Sequence, residues 1–72
     1  MKIFVRLLNE GTDVFRPVQA FHIGDERYQI LDSNVRIEDE EWEFEPGMIV
    51  EAIMHRFASG ESGLLATKAV PS

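Results

Sequence analysis

Apolar and polar residues alternate with a period of two along most of the chain. In the segment KIFVRLL, Ile3, Val5 and Leu7 fall on one face, and Lys2 and Arg6 fall on the other. Such alternation is typical of a half-buried β-strand. The same kind of pattern predicts further strands over residues 14–23, 27–31, 41–45, 48–57 and 64–70.

Clusters of Gly, Asn, Asp and Ser separate these segments at residues 9–13, 24–26, 32–34 and 58–63. Residues of these types favour turns, and Gly11 can supply the positive φ of the first one. Pro46 and Gly47 suit the two central positions of a type II turn. Pro17 has no N–H group for a ladder, so its strand is predicted to lie at an edge or to carry a bulge.

The acidic stretch IEDEEWEFEPG could form either a helix or a strand. A helix would place like charges on every face and would form no apolar stripe. A strand is favoured instead, after a turn over residues 38–40. Its alternation favours Trp42 and Phe44 as core residues and leaves a row of three carboxylates outside: Glu41, Glu43 and Glu45. The alternative is that these aromatic residues are exposed and bind a basic or proline-rich peptide.

Five or six short strands, with turns between them and no convincing helix, predict an all-β domain. The 72 residues are too few for a two-sheet sandwich of seven strands. A small barrel of short antiparallel strands is the economical solution, because closure also hides strand edges. We expect one domain over residues 1–70 and a frayed end at residues 71–72.

Two segments, LLNEGTDVFRPVQA and DEEWEFEPGMIVEA, resemble a family of short bacterial proteins of unknown function. The shared pattern is E-G-T-D-V-aromatic-R-P-V in the first and W-E-F-x-P-G-x-x-V in the second. The chain has Phe15 where that pattern more often has Trp. The resemblance implies a small barrel like that of Src-homology-3 domains, and it implies no activity, since one such fold hosts many functions.

Composition and the absence of motifs disfavour several classes of function. The formal charge of -6 disfavours a nucleic-acid binder, because the phosphate backbone demands cations. There is no Cys and no ligand spacing for a metal around His22 or His55, and no nucleophile or phosphate-loop motif is present. No segment is typical of a signal peptide or a membrane span. We therefore expect a cytoplasmic, non-catalytic protein without cofactor or metal.

The favoured function is a protein-interaction module, with self-association as one form of it. One candidate surface is the edge formed by Phe15, Arg16 and Pro17, since Arg and aromatic residues are favoured at interfaces. The other is the acidic row of Glu41, Glu43 and Glu45. An exposed Phe4, Phe21 or Ile53 would mark a homodimer interface.

Structural explanations compete with each of these assignments. The carboxylate row can be a solvated strand face that pairs with Arg27, Arg36 or Arg56. Arg16 can pair with Asp13 or with one of the strand glutamates.

Two other functions stay open. A nucleic-acid-associated barrel would use a local basic face built from Lys2, Arg6, Arg16 and Arg27. An acidic inhibitor of a basic enzyme would present its carboxylates as one contiguous patch.

Overall fold

The computed structural model describes residues 1–31 and 40–71, which form an all-β domain without a helix. Its six strands form one sheet that closes in a ring, which confirms the predicted small all-β barrel-like fold. The strands are β1 (Lys2–Leu8), β2 (Phe15–Gly24), β3 (Arg27–Ile30), β4 (Glu41–Trp42), β5 (Ile49–Arg56) and β6 (Ser62–Ala69).

The order of the strands in the sheet is β2-β3-β5-β6-β1-β4, and β1 also pairs with β2. Five strands therefore close the ring, and the short β4 pairs with the end of β1 at Leu7 and Leu8. Within the described residues, β1 and β6 form a parallel pair, joined where Phe4 lies opposite Leu65, and all the other strand pairs are antiparallel. The prediction of antiparallel strands is thus wrong for the pair that closes the ring.

The inward-facing side chains of every strand pack together inside the ring. Ile3 and Val5 of β1 are fully buried, and they meet Tyr28 and Ile30 of β3 in one cluster. Trp42 is only 3% exposed, and Phe44 is also buried, so both belong to the core as the alternation predicts. The core cluster consists of Ile3, Val5, Leu7, Val18, Ala20, Tyr28, Ile30, Trp42, Phe44, Val50, Ala52 and Ala66.

Pro17 occupies a position of β2 that needs no hydrogen-bond donor. The amide of Leu7 donates to the carbonyl of Val14, and the amide of Ala20 donates to the carbonyl of Met1. Because hydrogen-bonded pairs alternate in an antiparallel ladder, Pro17 opposite Phe4 is a non-hydrogen-bonded pair. The nitrogen of Pro17 points away from β1, on a side where no described residue pairs with it. The residues that follow Leu31, the last described partner of β2 on that side, lie outside the described residues, so the edge or bulge at Pro17 stays a prediction.

Several turns form where the sequence predicts them. The amide of Met48 donates to the carbonyl of Glu45, and Gly47 has a φ of 91°, which together define the type II turn at Pro46 and Gly47. In the first turn, however, Asn9 takes the left-handed conformation, with a φ of 61°, and Gly11 does not. Asn tolerates this conformation better than other non-glycine residues.

The structure departs from the alternation in one strand length and in one burial position. Strand β4 ends at Trp42, and residues 43 and 44 bend away although Phe44 still points inward. Met54 is 67% exposed instead of buried, because the β5–β6 hairpin continues beyond the point where β3 stops pairing with β5. The predicted turns at residues 32–34 and 38–39, and the frayed Ser72, lie outside the described residues.

The outer surfaces of β1 and β6 approach each other closely at Gly63. A Cβ atom at Gly63 would lie 2.6 Å from one ring carbon of Phe4 and 3.0 Å from another, far inside van der Waals contact. No atom lies within 4 Å of the corresponding position at Gly24. Glycine at position 63 is thus required by packing.

We expect Gly63→Ala to lower the free energy of unfolding by about 1–3 kcal/mol, because the Phe4 ring must move to admit the methyl group. The matched change Gly24→Ala should be neutral or stabilise by up to about 1 kcal/mol. Urea unfolding of both variants measures the difference. Equal midpoints for the two variants would contradict the close approach.

Candidate functional site

A cluster of aromatic rings lies on the outside of the ring of strands. The centroid of the Phe57 ring lies 4.8 Å from that of Phe4, 5.0 Å from that of Phe15 and 4.9 Å from that of His55. All three Phe side chains are half-buried, and His55 is exposed. These separations fall within the range of favourable tilted and edge-on aromatic pairs.

The strand register extends this cluster across four neighbouring strands. Leu65 of β6 lies opposite both Ile53 of β5 and Phe4 of β1, and Phe4 lies opposite Pro17 of β2. Residues directly opposite in neighbouring strands share a face of the sheet. The resulting surface, here named the outer aromatic face, consists of Phe4, Phe15, Pro17, Ile53, His55, Phe57 and Leu65.

Leu65 is buried on this outer face and not in the core. Its neighbours Leu64 and Ala66 contact the core cluster, whereas Leu65 does not belong to it. Alternation along β6 therefore turns Leu65 outward. Its exposure is only 8%, so the outer face already excludes water at its centre.

Two cations of β1 flank the rings. The Nζ atom of Lys2 lies 5.4 Å from the centre of the Phe4 ring, and the guanidinium carbon of Arg6 lies 5.7 Å from the centre of the Phe15 ring. Both separations permit cation–π attraction. Arg6 also lies 4.0 Å from Asp13, but both side chains are exposed, so this ion pair is weak.

The candidate residues Phe15 and Pro17 both belong to the outer aromatic face. Arg16 lies between them in sequence and points to the opposite side of β2, where it shares a face with the buried Val5. The structure therefore separates Arg16 from the two residues with which the sequence grouped it. The period of two along a strand is the physical reason.

Arg16 takes part in a hydrogen-bonded network at the end of the core. Its Nε and Nη2 atoms donate to the two carboxylate oxygens of Glu40, at 3.1 and 2.5 Å. The indole Nε1 of Trp42 donates to the same carboxylate at 3.2 Å. The hydrogen bond to Glu40 raises the pKa of Arg16 above its ordinary value. Because Arg16 stays protonated throughout the neutral range, it is a permanent counter-ion for Glu40.

The three acidic candidates occupy different surroundings. Glu41 accepts a hydrogen bond from the amide of Asn9. Glu43 is exposed and shares a shallow depression with Arg6, and Glu45 is half-buried at the type II turn. Since β4 ends at Trp42, the predicted strand row of three carboxylates is shortened to its first member.

The four cations proposed for a basic face have different partners. Arg16 pairs with Glu40, and Arg27 lines a depression together with three carboxylates, those of Asp25, Glu26 and Glu51. Only Lys2 and Arg6 of the four stand at the outer aromatic face. Arg36, a suggested counter-ion for the acidic row, lies outside the described residues.

The depressions and possible metal-binding groups of the described residues are as follows. One open depression of about 570 Å³ is lined by residues without titratable side chains: Gln29, Gly47, Met48, Ile49, Ala69, Val70 and Pro71. Over residues 1–31 and 40–71, no three His, Asp or Glu side chains are placed to hold a metal ion. In the same residues, no helix is long and apolar enough to cross a membrane.

Sequence reasoning missed Phe57, His55 and Leu65 as site residues. The predicted alternation assigned His55 to a strand face without a role, and it did not distinguish Leu65 from Leu64 in the run LLA. The only available signal was the excess of aromatic and aliphatic residues on the outward positions of β1 and β5. These residues can be recognised as one surface only when the strand order is known.

Comparison of the chain with protein-family models, curated proteins and solved structures finds no match. The resemblance to short bacterial proteins of unknown function therefore stays a prediction.

We expect Arg16→Gln to lower the free energy of unfolding by about 1–3 kcal/mol, because the two charge-assisted hydrogen bonds from Arg16 to Glu40, whose side chain is 16% exposed, are lost. Arg6→Gln is a matched control on the neighbouring strand. It breaks an exposed pair, so it should change stability by no more than about 0.5 kcal/mol. Thermal unfolding at neutral pH compares them, and a silent Arg16→Gln would contradict a structural role for the network.

Proposed function

We propose that the protein is a non-catalytic protein-interaction domain and that the outer aromatic face is its docking surface. The observation that supports this most directly is the position of the three Phe rings. They lie outside a ring of strands whose interior is already filled by a separate core. A second apolar surface on a small domain is typical of an interaction site.

The chemistry of the face is that of an interface. Aromatic residues and Arg are enriched in the centres of protein–protein contacts, where they supply most of the binding energy. Ile53 remains 46% exposed beside the buried Leu65. The face therefore offers a partner both a closed centre and an accessible apolar edge.

Backbone pairing is a less suitable binding mode along the side of β2 that faces away from β1. An added strand needs successive N–H and C=O groups along a free edge. At Pro17 that side has no donor, and proline at such a position blocks strand addition. Side-chain docking onto the face is therefore favoured over extension of the sheet.

A nucleic-acid role has less support than a protein partner. Rings flanked by cations do stack bases in single-strand binders. Such proteins line the groove with further cations, whereas Arg16 and Arg27 stand among carboxylates. The Src-homology-3-like class of the barrel is part of the present proposal, supported by the ring of five strands and the short additional β4.

Site-specific photocrosslinking tests the docking surface. Ile53, or Phe21 in the control, is replaced by p-benzoyl-phenylalanine, and the protein is irradiated in lysate of the cells that make it. Both side chains are exposed and apolar, Phe21 at 63%, but Phe21 lies outside the face. We expect a discrete crosslinked product at position 53 and none at position 21.

A second variant links that product to the face. Phe57→Ser removes the ring that joins the cluster and should abolish the crosslink from position 53, while the unfolding midpoint verifies that the domain still folds. Crosslinks of equal yield at both positions, or none at position 53, would contradict the proposal.

A further inference from the structure

We propose that the outer aromatic face binds an extended acidic segment of a partner protein, with two carboxylates four residues apart and an apolar side chain midway between them. This inference rests on the proposed function, because it names the class of partner for the same face. Its basis is the order of side chains along the outward side of β1.

Lys2, Phe4 and Arg6 alternate with inward residues, so all three project from the outer side of one strand. The rise of a strand places Lys2 and Arg6 about 13 Å apart, with Phe4 halfway between them. An extended partner strand has the same repeat. A carboxylate at each end of a five-residue segment therefore reaches one cation, while its central side chain meets Phe4.

Both cations keep their charge available to a partner. Lys2 and Arg6 are exposed, and a contact with an aromatic ring does not neutralise either charge. Two exposed carboxylates stand near Arg6: Asp13 lies 4.0 Å away, and Glu43 lines the same shallow depression. Because both are exposed, a partner carboxylate can displace them. By contrast, Lys68 stands 3.4 Å from Glu51 on another part of the surface.

A second copy of this chain fits the face less well. A twofold axis near Phe4 would bring Lys2 of one copy towards Arg6 of the second copy, since Phe4 lies midway between them. Like charges at the centre of an interface oppose association. Charge complementarity therefore favours an acidic partner over self-association through this face.

Fluorescence anisotropy with labelled peptides tests the inference. The first peptide contains the core Glu-Thr-Phe-Thr-Glu, the second contains Lys-Thr-Phe-Thr-Lys, and the third carries the residues of the first with the two Glu only two positions apart. We expect the first peptide to bind about tenfold more tightly than the second, from two partly exposed ion pairs. The third should also bind more weakly than the first, and high salt should reduce the difference.

The double variant K2E/R6E should reverse the order, so that the Lys peptide binds more tightly. The variant R27E/K68E changes the net charge equally but lies away from the face, and it should keep the preference for the Glu peptide. Reversal only in K2E/R6E supports the inference.

Four results would overturn it: equal binding of the Glu and Lys peptides, reversal in R27E/K68E, no binding of the first peptide, or dimerisation in sedimentation that Phe57→Ser abolishes. None of these results decides the proposed function, because that function is tested by the crosslink at position 53, which reports docking of any protein. Absence of that crosslink would remove the docking surface itself, so the two failures are distinguishable.

Discussion

The pairing of β1 with β6 is the constraint on which the rest of the structure depends. A short chain buries only roughly 60% of its unfolded surface, so an open sheet would leave much of its apolar face in water. Closing the ring through Phe4 and Leu65 encloses Ile3 and Val5 on all sides. The pairing is parallel because the four antiparallel pairings β1–β2, β2–β3, β3–β5 and β5–β6 reverse the direction an even number of times, so β6 runs in the direction of β1.

Closure also creates the outer aromatic face. Because β6 covers one side of β1 and β2 covers the other, β1 is a central strand of a four-stranded outer surface. Because Gly63 has no side chain, the Phe4 ring can lie across β6 at this position. Phe57, just beyond the end of β5, then packs against both Phe4 and Phe15. Rings that hold one another in place lose little conformational freedom when a partner binds, which favours affinity.

Local patterns predict the parts of this fold that depend on neighbouring residues. Alternation identifies Trp42 and Phe44 as core residues, and Pro46 with Gly47 marks a type II turn. Alternation fails at Met54, because burial there depends on how far β3 extends beside β5. The parallel closure has no local signature, since it joins residues about sixty positions apart.

The same distinction applies to the candidate site. Phe15 and Pro17 are found from sequence because an aromatic residue followed by Arg and Pro is unusual within a strand. Arg16 is grouped with them by sequence, yet its side chain points to the other side of the strand and serves Glu40 and Trp42. Phe57 reaches Phe4 and Phe15 only through the β5–β6 hairpin, so no pattern within ten residues of it predicts these two contacts.

The net charge of -6 and the two cations at the face act over different distances. At physiological ionic strength, charges separated by more than about 8 Å are largely screened. The net charge therefore repels an acidic partner only weakly during approach. Lys2 and Arg6 attract it only at contact. Electrostatic steering would then contribute little to the association rate, and the local charges would act on specificity. A basic segment experiences the reverse. It is attracted by the net charge at a distance, but at contact it is repelled by the two cations, so binding of a basic segment to this face is disfavoured.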